Sequence, residues 1–186
     1  MKQMKQLFLI ITLAVTAMAA TTSIGDWELF RFDRGLFQIE MPDLPAFSSQ
    51  ELSTDIGNLT MSVFMHEGEE GVDENLFYMI SFTDYPADKV NAESMSKAAL
   101  DEHYKNSLQS TVNNMDGVLI EEKEIELFGH EGRDIKISYF EGQMIMRMQT
   151  LLVKNRMYAL QTVASAGNDN NDSQRRFFNS FELLSE

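Results

Sequence analysis

Residues 116–164 hold four runs of alternating apolar and polar residues, separated by Gly129-His130-Glu131-Gly132, Glu141-Gly142 and Lys154-Asn155. Alternation with a period of two marks strands, and short breaks rich in Gly or Asn mark hairpins, so this stretch predicts an antiparallel meander. Its register follows from its turns. With Glu141-Gly142 as a two-residue loop, Tyr139 faces Met144, Ile137 faces Met146 and Ile135 faces Met148, all on one side of the sheet. With Lys154-Asn155 treated alike, Leu152 meets Met157, Thr150 meets Ala159 and Met146 meets Val163 on that same side. The other side carries Ile145, Leu151, Val153, Tyr158 and Leu160, mixed with Arg147, Gln149 and Arg156. An antiparallel sheet with one wet face alternates more cleanly, so both faces are expected to be covered.

Strands are also expected from Trp27, over Leu36 to Met41, and over Asn75 to Phe82. Phe47 to Asp55 and Leu59 to His66 read as a hairpin about Ile56-Gly57-Asn58, and Glu67 to Glu74 as a mobile acidic loop. Between the last of these strands and the meander the period changes. Met95, Ala99, Leu108, Val112 and Met115 recur at helical spacing, and Asn91 is a capping residue, so a helix of about 24 residues is expected from there. A second, short helix is expected from about Asp172 to Leu183, with Phe177, Phe178 and Phe181 on its apolar face. One helix on each side gives an α+β fold, an antiparallel β-sheet flanked by helices on both faces as an α/β/α sandwich.

The N-terminus reads as a secretory signal. Lys2 and Lys5 precede the apolar run Leu7 to Val15, and Ala17-Met18-Ala19 offers the small residues of a cleavage site. Residues 1–19 are therefore expected to be removed and residues 20–186 to form a single domain in the periplasm or outside the cell. Loss of Lys2 and Lys5 leaves 13 basic against 29 acidic residues, a formal charge of −16. Such a field repels nucleic acid and anionic membranes, so neither is an expected partner. No stable membrane insertion is expected once the signal is gone. The chain has no cysteine, which excludes disulfides and a lipid anchor on a cysteine at the cleavage site.

The order of several short signatures resembles the PsbP/Mog-type sandwich superfamily, above all its small exported bacterial members. Trp27 and Gly35-Leu36-Phe37-Gln38-Ile39 lead to Met41-Pro42 and Pro45. Tyr78 to Asp84-Tyr85-Pro86 precedes the long helix. Phe128-Gly129 to Gly132-Arg133-Asp134 opens the central hairpin, and Arg147, Leu151 and Met157-Tyr158 follow. Arg176-Phe177-Phe178-Asn179-Ser180-Phe181 closes the chain. The resemblance implies an antiparallel sheet between helices. It implies no activity, because members serve as scaffold or assembly factors, and neither Ran binding nor a photosystem role carries over.

No pattern for catalysis stands out. There is no G-x-S-x-G, no cysteine nucleophile and no glycine-rich phosphate loop. His66, His103 and His130 lie in separate segments and form no H-x-x-x-H pair. Met144, Met146 and Met148 have the thioethers that suit copper, yet they oppose Ile135, Ile137 and Tyr139 and so read as core. The acids of Glu67 to Glu74 lack the spacing of a calcium loop, and Glu121, Glu122, Glu124 and Glu126 read as an edge strand guarded by charge. No metal or cofactor is assigned. The polar group that stands out is Arg133 and Asp134 with Lys136 and Arg147. Lys136 faces Arg147 in the register above, and two opposed cations call for an anion, either a carboxylate of the chain or a bound ligand. The expectation is thus a non-catalytic exported binding or assembly module with an envelope protein partner. The alternative is a carrier of a small apolar or lipid-like ligand, and an enzyme ranks last.

Overall fold

The computed structural model describes residues 27–54, 56–69 and 72–185. The signal-peptide reading of residues 1–19 lies outside them. The elements run β1 (Glu28–Phe32), β2 (Phe37–Met41), β3 (Ala46–Thr54), β4 (Gly57–Glu67), β5 (Phe77–Asp84), α1 (Lys97–Met115), β6 (Val118–Leu127), β7 (His130–Tyr139), β8 (Met144–Val153), β9 (Arg156–Ser165), α2 (Asp172–Asn179) and β10 (Glu182–Leu183). Seven strands form one antiparallel sheet in the order β3-β4-β5-β9-β8-β7-β6, and β1-β2-β10 form a second, smaller one. No helix among the described residues is long and apolar enough to cross a membrane.

The meander has the register expected of it. Tyr139 pairs with Met144, Ile137 with Met146 and Ile135 with Met148, while Leu152 pairs with Met157, Thr150 with Ala159 and Met146 with Val163. The β7–β8 loop is wider than two residues. Phe140 and Glu141 both hold left-handed backbone angles, and Gln143 N–H donates to Phe140 O at 3.1 Å. Pairing beyond the loop is unaffected, because Phe140 and Gln143 still stand across from each other.

Alternation then sorts the side chains into two cores. On one face Ile135, Ile137, Met146, Met148 and Val163 pack with Leu108 of α1. Tyr104 of the same helix packs with Leu152, Met157 and Val90. The methionine run is thus core, with Met146 and Met148 buried. On the other face Tyr78, Ile80, Leu151, Tyr158 and Leu160 meet Phe37, Ile39 and Met41 of β2, together with Phe177 and Phe181. The small sheet supplies most of that cover, where the sequence had suggested a helix. Phe177, completely buried, adds the apolar side of α2.

Both helices are shorter than expected, for local reasons. The Asn91 side chain accepts from Glu93 N–H and its carbonyl from Met95 N–H, which closes a single turn. Ala92 N–H is taken by Lys154 O at 2.8 Å, so the chain is held to the β8–β9 turn and does not wind on. Ser96, whose hydroxyl accepts from Ala99 N–H, is the real cap. It starts a helix of 19 residues that ends at Asp116 in a left-handed cap. At the C-terminus α2 stops at Asn179. Phe181 leaves the helix to enter the core, and Glu182 and Leu183 pair with Gln38 and Phe37 of β2.

Candidate functional site

Neighbours on a strand point to opposite faces, and this divides the four singled-out residues. Arg133 lies on the α1 face. Asp134, Lys136 and Arg147 lie on the other, so the group of four is not one site. The expected opposition of Lys136 and Arg147 is present, and Asp134 stands opposite Gln149.

The α1 face holds the denser cluster. Lys97, Asp101 and Tyr104 recur at i, i+4 and i+7 along α1 and so share one side of the helix. They meet Glu122 and Glu124 of β6 and Glu131 and Arg133 of β7. Arg133, whose side chain is 5% exposed, donates to Glu131 Oε1 and to Gly132 O, both at 2.9 Å, and to Asp101. Its Nε lies 3.6 Å from Glu122, and its guanidinium stacks 4.7 Å from the centre of the Tyr104 ring. Burial works against the Arg133 charge, and Glu131, Glu124 and Asp101 outweigh it, so its pKa is raised. The Lys97 ammonium lies 2.5 Å from Asp101, 2.6 Å from Glu131 and 3.3 Å from Glu124. Its hydrogen bond holds the Asp101 carboxyl below the usual range.

Asp101, Glu124 and Glu131 bring carboxylate oxygens within 4.8 Å of one another, a spacing that fits a metal ion. Lys97 lies against all three and supplies a positive charge from the chain itself. Beneath it, Tyr104 Oη donates to Glu131 O at 2.7 Å and accepts from Leu152 N–H at 2.9 Å. The β7–β8 ladder runs to Gly132 opposite Leu151, so Glu131 and Leu152 would form the next pair. The hydroxyl sits between their backbone groups and bridges them. Burial pushes the phenol up to about 12, so it keeps the proton that it donates. The arrangement pins α1 to the parting end of two strands.

On the opposite face the two facing cations each have a carboxylate of the chain. Lys136 pairs with Asp169. Arg147 Nη2 donates to Asp134 Oδ1 at 2.8 Å, and Gln149 Nε2 to Asp134 Oδ2 at 2.9 Å. The cross-strand row runs Glu121, Lys136, Arg147, Thr162. Gln174 of α2 reaches Thr162 Oγ1 at 2.8 Å, and Asn171 and Asn75 exchange two amide hydrogen bonds of 3.0 Å. These bonds tie the start of α2 to β9 and to the approach to β5. Asp169, Gln174 and the α1 residues escape sequence reading because they come from segments remote in the chain. Only the i, i+4 spacing of Lys97 and Asp101 is a local signal.

Several clefts open at the surface among the described residues. One, of about 480 Å³, collects Leu36, Phe128, His130, Val153, Arg156 and Leu183 at one end of the sheet. A second, of about 780 Å³, lies over Phe47, Ser49, Ser62, Phe64 and Phe82 and shares Asp84 and Arg156 with the first. The third, of about 550 Å³, lies between the C-terminus of α1 and the β7–β8 loop. Met144, Met146 and Met148 line none of the three.

The sequence matches no protein-family model and no curated protein. Its structure is similar to the solution structure of cyanobacterial PsbP (CyanoP) from Synechocystis sp. PCC 6803. The TM-score is 0.55 at 7% identity, over 90% of this chain and 98% of that one. It is also similar to PA94 from Pseudomonas aeruginosa, a protein of unknown function, with a TM-score of 0.39 and 14% identity over 77% of this chain and 86% of that one. A Bacteroides thetaiotaomicron structure gives 0.39 and 10%, over 88% of this chain and 50% of that one. The fold is PsbP-like, as the ordered signatures in the sequence implied.

Proposed function

We propose that this protein is a non-catalytic exported module that binds or assembles with another protein of the cell envelope. One observation carries the reading. The charges that the sequence singled out are spent on ties within the fold: Arg133 with Asp101 and Glu131, Lys136 with Asp169, and Arg147 with Asp134. They stiffen the sheet, fasten α1 to it and hold the loop that leads into α2, which suits a part that presents a surface. The leader-like pattern of residues 1–19 supports a location in the periplasm or outside the cell, and the acidity of the chain argues against nucleic acid and anionic lipid as partners. Affinity capture from native envelopes tests this. A protein recovered reproducibly and in fixed proportion supports the reading, and consistent recovery of none defeats it.

A second reading, carriage of a small apolar or lipid-like ligand, draws on the cleft of about 480 Å³ with Leu36, Phe128, Val153 and Leu183 in its wall. That volume lies within the range of small-molecule sites. Native mass spectrometry of purified protein separates the two, since a carrier retains a co-purifying mass and an empty module does not.

A further inference from the structure

Of the two open edges of the large sheet, β6 is the one built to receive another chain. Among the described residues nothing pairs with its outer side, so it presents a row of unpaired backbone N–H and C=O groups. Its first residues are Val118, Leu119 and Ile120, exposed by 68, 40 and 51%. The register shifts between Leu119 and Glu121, which leaves Ile120 out of the pairing with β7. Phe140, 65% exposed, extends the apolar end from the neighbouring loop. The rest of β6 carries Glu121, Glu122, Glu124 and Glu126; Lys123 pairs with Glu121, and Arg133 and Lys97 lie beside Glu122 and Glu124 but are shared with Asp101 and Glu131, so acids remain in excess along this edge. Charges alone guard an edge, but three exposed apolar residues on the same edge do the reverse.

We infer that β6 binds an extended, basic segment of another protein, which adds to the sheet as an eighth strand. This deepens the binding-module reading and rests on it. Backbone pairing supplies the general attraction, Val118 to Ile120 with Phe140 take apolar side chains, and the glutamates select lysine or arginine across from them. A second copy of this chain is a poor occupant. Laid antiparallel about the middle of β6, it sets Glu121 against Glu124 and Leu119 against Glu126, and the whole chain carries a formal charge of −14. A basic segment meets neither obstacle.

The test uses purified isotope-labelled protein and two synthetic peptides of about ten residues, one alternating valine with lysine and one alternating valine with glutamate. The lysine peptide is expected to shift and protect amides of residues 118–127, and to bind less tightly as salt rises. The exposed double variant Val118→Lys/Ile120→Lys is expected to bind it about tenfold or more weakly. Equal binding of the glutamate peptide, perturbation centred on another strand, undiminished binding by the double variant, or no binding overturns the assignment. So does a concentration-dependent dimer that the double variant abolishes, which would name a second copy as the occupant. Envelope capture separates this failure from that of the parent reading. A partner kept equally by wild type and variant removes the β6 assignment alone, and no partner for wild type removes the module reading.

Discussion

Replacing Tyr104 with phenylalanine takes one oxygen from a bridge between two strands. Leu152 is 1% exposed, so its N–H, now 2.9 Å from the hydroxyl, would lose its partner with no water at hand. An unsatisfied buried donor costs about 1–3 kcal/mol. Glu131 O, 2.7 Å away on the other side, is only partly buried and loses about 0.5–1.5 kcal/mol. The ring keeps its packing and its contact with Arg133. Together these give a loss of about 2–4 kcal/mol, or roughly 5–15 °C in Tm for a domain of this size. Urea unfolding of both proteins at pH 7 measures the difference, and hydrogen exchange at the Leu152 amide locates it. A loss below about 0.5 kcal/mol with Leu152 still protected would refute the reasoning. It would mean that Glu131 and Leu152 close directly on each other and that the hydroxyl is a bystander.

Gly132→Ala should destabilise the same region, since a β-carbon there would lie 2.4 Å from Thr150 O, a backbone atom that cannot swing aside; thermal melting of the variant checks this. His103 is half-buried, its Nε2 has no hydrogen-bond partner among the described residues, and burial lowers its pKa. The unfolded chain therefore binds the proton more readily, so stability is full above about pH 6.5 and falls as the pH drops from there toward the lowered folded pKa. His103→Phe should flatten that part of a stability-versus-pH curve measured by urea unfolding. Lys97→Ala leaves Asp101, Glu124 and Glu131 without the ammonium that joins them. The variant should gain a rise in Tm with millimolar calcium that the wild type lacks, and equal responses would count against Lys97 as the cation of that cluster.

The meander was legible because a period of two combined with two short loops leaves little freedom of register. Ile135, Ile137 and Tyr139 opposite the methionines followed from counting outward from Glu141-Gly142. The start of α1 was not legible, because Asn91 and Ser96 are both good caps and a hydrogen bond from Ala92 to Lys154, far along the chain, decides between them. Phe181 has the spacing of a helical apolar face, yet the pull of the core and of β2 removes it from the helix. Alternation alone separates Arg133 from Asp134, whereas nothing local marked Asp101 as the partner of Arg133 or Asp169 as that of Lys136. Periodic pattern reports which face a residue occupies, and it is silent about which distant side chain waits there.

The pairing of β10 with β2 has a consequence in time. Phe37, nearly the first residue of the core, acquires its neighbours Phe177, Phe181 and Leu183 only when the last residues of the chain arrive. The large sheet can assemble earlier from local hairpins, and β1 and β2 can cover much of its second face, but the part under Phe177, Phe181 and Leu183 waits for those residues. A chain threaded through a membrane from its N-terminus would thus hold that part of the apolar face open until residues 177–183 have passed. Removing the residues from Phe177 onward would leave that part open for good, so this segment works as the closing stitch of the fold.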